Sequence, residues 1–308
     1  MAKITAALVK DLRDKTSAGM MDCKKALTEN DGDIEAAIDW LRQKGIAKAD
    51  KKASRVAAEG LVAIALDGTK GAVVEVNSET DFVARNEAFQ GAVSEIASLG
   101  LTAGGDFDKL SATTTSSGAN VTEHLVALVA KIGENMNLRR TDYLEVSDGV
   151  VSGYIHNAEA GNMGKIGVLV ALESTGDKAA LEALGKKIAM HVAATSPLAL
   201  TPADLDEAVV TKEREMLIAE ARESGKPEAI IEKMVDGRMQ KFFKESVLTT
   251  QIFVMDGERT IDQVVADESK SLGADVKLTG FVRMALGEGI EKKEEDFAAE
   301  VAAAVAGS

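Results

Sequence analysis

Thr80-Asp81-Phe82-Val83-Ala84-Arg85-Asn86 is the stretch on which the reading of this chain turns. Ahead of it, Ala72-Val73-Val74-Glu75-Val76 is an apolar run of strand length. After it, Glu87-Ala88-Phe89 opens a segment in which Val93, Ile96 and Ala97 recur at helical spacing. An acid and a large aromatic therefore share a strand-to-helix corner. Such corners lie on the surface and carry function more often than packing. An exposed Phe beside an exposed Asp serves no purpose in a lone domain; it fits the pocket of a partner.

Working outward, Leu61-Val62-Ala63-Ile64-Ala65-Leu66 is a strand, and Asp67-Gly68 is a hairpin signal leading into the strand before the corner. The pattern recurs. A strand over 150–155, a loop over 157–164 and a strand over 165–172 precede a helix bearing Leu181, Leu184, Ile188 and Val192. Residues 71–80 superimpose in pattern on residues 167–176, an offset of 96. The expected fold class is α+β, with a duplicated core of two small antiparallel sheets, each with helices on one face.

In front of this core, three short helices form a bundle. Thr5 caps the first (Leu8, Val9, Leu12), Met20, Cys23 and Leu27 mark the second, and Asp33 caps the third (Ile34, Ala37, Ile38, Leu41). Gly19, Gly32 and Gly45 are read as the boundaries, and Lys48-Ala49-Asp50-Lys51-Lys52-Ala53 as a charged connector. Behind the core, Leu205, Val209, Met216 and Ile218 mark the outgoing face of a helical hairpin. It turns at Gly225-Lys226-Pro227 and returns through Ile231, Met234, Val235, Met239, Phe242 and Phe243. A strand over 247–254 is expected to complete the second sheet, and a last helix to run over 297–305. The division expected is a bundle (1–55), a first core subdomain (56–148), a second (149–200 with 246–275), the arm (201–245) and a C-terminal module (276–308).

The net charge is −14, which disfavours broad phosphate-backbone binding. Residues 1–55 carry 12 basic and 9 acidic side chains, a net of +3, so the remainder carries −17. This is a solvated acidic surface. One cysteine, Cys23, can form neither an internal disulfide nor a cysteine zinc site, and reads as a small core residue. Met1-Ala2-Lys3-Ile4-Thr5 has no apolar signal core and no run reaches membrane-span length, so the expected location is the cytoplasm, with no membrane partner.

Reaction chemistry is hard to assemble. Gly161-Asn162-Met163-Gly164-Lys165-Ile166 has the glycines and lysine of a phosphate loop, but Ile166 stands where Ser or Thr must reach magnesium, so a hairpin loop is favoured. His124, His156 and His191 lie 32 and 35 residues apart, without metal-ligand spacing. His124 and His191 fall in helical patterns; His156, ending a strand beside Asn157, is the functional candidate among them. The expectation is a protein with no catalytic, metal or cofactor residues, offering a surface. Two competitors remain: a structural protein dimerising through the arm, and an enzyme using the 161–165 loop for phosphate.

With these segments in place, the chain resembles the elongation factor Ts family of translation factors. The match is carried by Ile4-Thr5-Ala6-Ala7-Leu8-Val9-Lys10-Asp11-Leu12-Arg13, by Gly19-Met20-Met21-Asp22-Cys23-Lys24-Lys25-Ala26-Leu27 and by the 80–86 corner. Lys165-Ile166-Gly167-Val168-Leu169-Val170, Gly237-Arg238-Met239 and Gly287-Glu288-Gly289-Ile290-Glu291-Lys292 extend it across nearly the whole chain. The 157–164 loop is longer than in many relatives, and Ile252 stands where proline is common. The resemblance implies an N-terminal module similar to ubiquitin-associated domains, a duplicated core, a coiled-coil arm and a C-terminal module. It implies guanine-nucleotide exchange on the GTPase elongation factor Tu, with an Asp-Phe pair intruding near that partner's magnesium site. Asp81 and Phe82 match that pair. Supporting contacts fall on Leu12, Arg13, Met20, Met21, Thr80, Val83, Arg85, His156, Val254 and Met255. Leu12 and one of the two methionines are also expected in the bundle core, and Arg85 is equally a brace for the corner.

Overall fold

The structure is a computed structural model that describes residues 4–16, 18–223, 225 and 227–291. The helix expected over 297–305, Lys226 of the arm's turn and Lys292 of the family motif lie outside the described residues.

The bundle is α1 (Ala6–Thr16), α2 (Met20–Glu29) and α3 (Ile34–Asp50). Thr5 Oγ1 accepts from the Leu8 N–H at 3.3 Å and Asp33 Oδ1 from the Ala36 N–H at 3.0 Å, filling the donors that every helix start leaves open. Val9, Leu12, Cys23, Ala26, Leu27 and Ala37 form its core. Two expectations are corrected. Gly45 is not a boundary but lies buried inside α3, where an added Cβ would sit 3.4 Å from the Ala130 Cβ. The connector is α3 itself, which runs on through Lys48 and Asp50 because this close face packs on the first half of the core.

That half comprises β1 (Glu59–Asp67), β2 (Lys70–Ser78), α4 (Asp81–Ala84), α5 (Glu87–Ala103), α6 (Phe107–Ala112), α7 (Val121–Ile132) and β3 (Met136–Glu145). The second comprises β4 (Gly149–Ala160), β5 (Met163–Glu173) and α8 (Lys178–Thr195), then the arm of α9 (Glu207–Glu223) and α10 (Glu228–Ser246), then α11 (Ile261–Leu272) and β6 (Lys277–Ala285). Each half is a hairpin, a covering helix and a later strand pairing with the hairpin's second strand, so α+β stands. The duplication is written into the backbone. Gly60, at φ +120°, faces Asn77, and Gly149, at φ +137°, faces Glu173, which lies 96 residues beyond Asn77. At either glycine a Cβ would meet a backbone oxygen, 2.2 Å from Val76 O or 2.0 Å from Leu172 O. The ladders also shift register at matching places, Glu75/Val76 against β3 and Ala171/Leu172 against β6.

The two sheets are one. β1 joins β5 through Val62↔Gly164 and Ala63↔Met163, giving the antiparallel order β3-β2-β1-β5-β4 with β6 also on β5. The sheet curls until Val62, Ile64 and Val73 share a core with Val151, Leu169 and Ala171. α5 covers one outer face through Phe89, Val93 and Ile96; α8 covers the other through Leu181, Leu184, Ile188 and Val192.

Glu75, fully buried on β2, ties the turn after β6 to this sheet. Its carboxylate accepts from Arg139 (2.9 Å), Arg140 Nε (2.6 Å), Asn77 (3.0 Å) and the Gly287 N–H (2.8 Å). Burial pushes the carboxyl up, but the Gly287 N–H, Asn77 and the two guanidiniums outweigh it and hold the group below the usual glutamate range.

Three further expectations are corrected. The 157–164 loop is mostly strand: β4 and β5 continue to a tight turn at Gly161-Asn162, and Lys165 pairs with Glu59 at 3.2 Å. Residues 247–254 form no strand, because the chain makes a 3-10 turn over Leu248–Thr250 in which the Thr250 and Gln251 N–H groups both donate to Val247 O at 3.1 Å instead of to a ladder. β6 takes that place, so residues 277–285, read as part of a C-terminal module, belong to the sheet. In the arm, Val210, Leu217, Ile218 and Ala221 pack against Ile231, Val235 and Met239, while Val209 and Met216 face outward and Leu205 sits at the arm's base.

Candidate partner-binding site

The corner is held from behind and bare in front. After β2 the chain turns at Ser78, whose hydroxyl donates to Thr80 O at 2.9 Å. Glu134, just before β3, grips Thr80 twice, accepting from its N–H at 2.9 Å and its hydroxyl at 2.7 Å. Glu79 accepts from the Asn135 N–H and pairs with Arg55 at 3.2 Å. α4 then makes one turn. Val83 and Ala84 point into the core of the first half, and Asn86 restarts the helix by accepting from the Ala88 and Phe89 N–H groups. Gln90 donates back to Ala84 O at 2.8 Å. With that side fixed, Asp81 and Phe82 can only face out. Phe82 is 78% exposed. Among the described residues the Asp81 carboxylate has no hydrogen-bond or ion-pair partner.

The other predicted residues divide. Val83 is buried and Leu12 has no exposed surface, so neither supplies contact area; each anchors the backbone beneath its exposed neighbours. Thr80 is spent on Glu134. Arg85 is exposed and lies 3.8 Å from Glu159 of β4, a brace toward the strand that carries His156. His156 is exposed, its Nδ1 3.1 Å from the Tyr154 hydroxyl, and it lies within β4 and not at its end. Arg13 is exposed. Met20 and Met21 are 60% and 75% exposed, so neither is core: α2 begins at Met20, and its buried stripe starts only at Cys23. Sequence reasoning missed Glu79, Glu134 and Asn135. Asn86, three residues before Phe89, carried an N-cap signal; Glu134 carried none.

Val254 and Met255 sit on the loop between α10 and α11, with Ile252, all about half exposed. Behind them His191 of α8 is fully buried, its Nε2 2.8 Å from Gln251 Oε1 and its Nδ1 accepting from the Val254 N–H at 3.3 Å. Desolvation lowers its pKa below the ordinary histidine value, partly offset by Gln251. His124 meets the Ser117 hydroxyl at the surface, and Cys23 is buried. Among the described residues no cluster of three or more His, Cys, Asp or Glu side chains is arranged to hold a metal, and no helix is long and apolar enough to cross a membrane.

The structure is a duplicated α+β body that presents exposed apolar side chains from three separate parts of the fold, Met20 and Met21, Phe82, and Val254 and Met255. The family description "Elongation factor TS" matches residues 79–288. Proteins called elongation factor Ts from Maricaulis maris (62% identical over 308 residues, 99% of each chain), Rhizobium leguminosarum bv. trifolii (58% over 308, all of each) and Caulobacter vibrioides (59% over 306, 98% of each) align with it end to end. The chain belongs to the elongation factor Ts family, whose members are factors of translation elongation.

Proposed function

We propose that this chain is a guanine-nucleotide exchange factor for the GTPase elongation factor Tu, and that Asp81 and Phe82 are its working tip. The observation that carries the reading is the 78% exposed Phe82 ring beside an unpartnered carboxylate, on a backbone clamped by Glu134. Exchange requires no catalytic group. A factor that binds the nucleotide-free partner more tightly than the loaded one weakens the nucleotide by the same factor. Seating Phe82 in an apolar pocket supplies about 1.5–3 kcal/mol toward an opened state of the partner. Asp81 arrives beside it and disturbs the water and hydrogen-bond network around the partner's magnesium, loosening the phosphate end of GDP. Arg13, Met20, Met21, Arg85, His156, Val254 and Met255 are the supporting contacts. The clamp supports this reading because a pre-set wedge loses little order on docking.

Phe82→Ala is expected to slow catalysed release of labelled GDP about 10- to 100-fold, the equivalent of that burial. Unchanged release would remove Phe82 from the mechanism. Asp81→Ala is expected to slow release in magnesium and to matter much less when magnesium is chelated; an equal effect in both conditions would detach Asp81 from the metal network.

A second reading, pairing of two copies through the arm, draws on the outward Val209 and Met216. Sedimentation of the full chain checks it: a monomer at all concentrations discards it.

A further inference from the structure

His191 is the buried histidine that the proposed mechanism leaves unused. It lies beneath one of the supporting contacts, the exposed loop that follows the arm. That loop is anchored by Phe253, buried in the core of the second half, and by Gln251 Nε2, which donates to Glu245 O of α10 at 2.6 Å. The Phe253 N–H donates to Arg259 O at 2.8 Å and the Ile261 N–H to Gln251 O at 3.1 Å, both within the same turn of chain. The cross-links to α8 run through the imidazole, beside a Thr195 hydroxyl 3.0 Å from Gln251 Oε1.

The hydrogen-bond pattern fixes the tautomer. Gln251 Nε2 donates to Glu245 O at 2.6 Å, so its amide oxygen faces His191. A backbone N–H can only donate, so the Nδ1 facing Val254 carries a lone pair and the proton sits on Nε2. The ring is therefore neutral and reads both ends of the loop, the Gln251 side chain at one nitrogen and the Val254 backbone at the other. Phe253 packs against it with ring centroids 5.9 Å apart. Ile252, Val254 and Met255 consequently point outward.

We infer that His191 is a positioning residue: its neutral imidazole holds the 251–255 loop so that Val254 and Met255 are presented to the partner as a rigid apolar knuckle. This rests on the proposed docking role of those two residues. Protonation of Nδ1 would set an N–H against the Val254 N–H and release the loop. Charged side chains on the packed elements include Lys186 and Lys187 of α8, Lys241, Lys244 and Glu245 of α10, Asp262 of α11, and Asp256, Glu258 and Arg259 within the loop. All are exposed, Asp256 is paired with Arg259 at 2.8 Å, and none bonds to the ring.

The test has two arms. In the full chain, amide exchange at Val254 is followed by NMR as pH falls. Protection is expected near neutral pH and its loss, about tenfold or more after correction for intrinsic rates, below the ordinary histidine range, with Leu184 and Ile188 of α8 unchanged. A Val254 amide that exchanges freely at neutral pH, or keeps its protection in acid, overturns the inference. The second arm compares His191→Asn, whose amide oxygen takes the place of Nδ1, with His191→Gln, which reaches only the Nε2 position. Asn is expected to hold the half-saturating concentration for GDP release within about twofold, and Gln to raise it about tenfold with the maximal rate kept. Equal effects of the two overturn it. Val254→Ala and Met255→Ala with unchanged half-saturation would remove the docking contact itself, an outcome separable from the first arm because amide exchange involves no partner.

Discussion

At the scale of single residues, the outcome is set by what lies behind each side chain. Phe82 and Val83 are adjacent and both apolar, yet one is 78% exposed and the other 3%. One turn of helix, pinned at Thr80 and Asn86, sorts them. The sequence carried the exposure of Phe82 through its setting, an aromatic between Asp81 and a polar corner. It did not carry the exposure of both Met20 and Met21, because apolar spacing cannot say where along a helix face the packed neighbour stops. Gly60 and Gly149 are the other decisive residues. Gly60→Ala places a Cβ 2.2 Å from Val76 O at φ +120°, and its expected cost is well over about 1 kcal/mol. Urea melts of Gly60→Ala and Gly149→Ala check this. A loss in only one would mean that the two hairpins are not equivalent.

Secondary-structure elements show where periodicity suffices. The two hairpins, α5, α8 and the bundle helices have clean apolar periods and were readable. The strand expected over 247–254 was not there, since a short apolar run can satisfy its backbone locally in a 3-10 turn. β3 went unread for the opposite reason: Asn137, Arg139, Arg140 and Asp142 disguise a strand whose buried apolar residues, Met136 and Leu138, lie at one end. The site is similarly divided. Its tip was legible within seven residues, but its support comes from Glu134, 54 positions from Thr80, and long-range polar partners leave no periodic trace. Glu134→Ala removes both bonds to Thr80. The expected result is a loss of about 1–3 kcal/mol in stability with a disproportionate fall in the maximal rate of GDP release. Paired melts and exchange assays measure it; a change in stability alone would show that the clamp is not needed for the tip.

Across the whole molecule, Glu75 links segments more than 200 residues apart by binding the Gly287 N–H while its guanidinium partner Arg140 reaches Ala285 O at 2.8 Å. Glu75→Gln leaves two guanidiniums without their shared charge, and the expected cost is about 3 kcal/mol. Because the carboxyl titrates below its ordinary value of 4.5, its contribution is complete above that value and is lost as pH falls through the lower folded-state pKa. Wild-type melting temperature should therefore drop more steeply in acid than that of the variant; parallel curves would remove Glu75 from acid stability. The 96-residue echo was visible in the sequence, whereas the fusion of the sheets, carried by two residue pairs, was not. Counting 96 residues on from Asp81 reaches Asp177. There the carboxylate stays at the surface but is occupied as a helix cap, accepting from the Ala180 N–H at 2.9 Å, and the strand feeds one unbroken helix. The first half breaks the same passage to insert α4 and begins again at Asn86. A twofold ancestry has thus diverged into a lopsided descendant, with a lever on one side and a plain stay on the other. Such a body carries one corner of this kind, so under the proposed role a single client would be engaged through it, in one orientation.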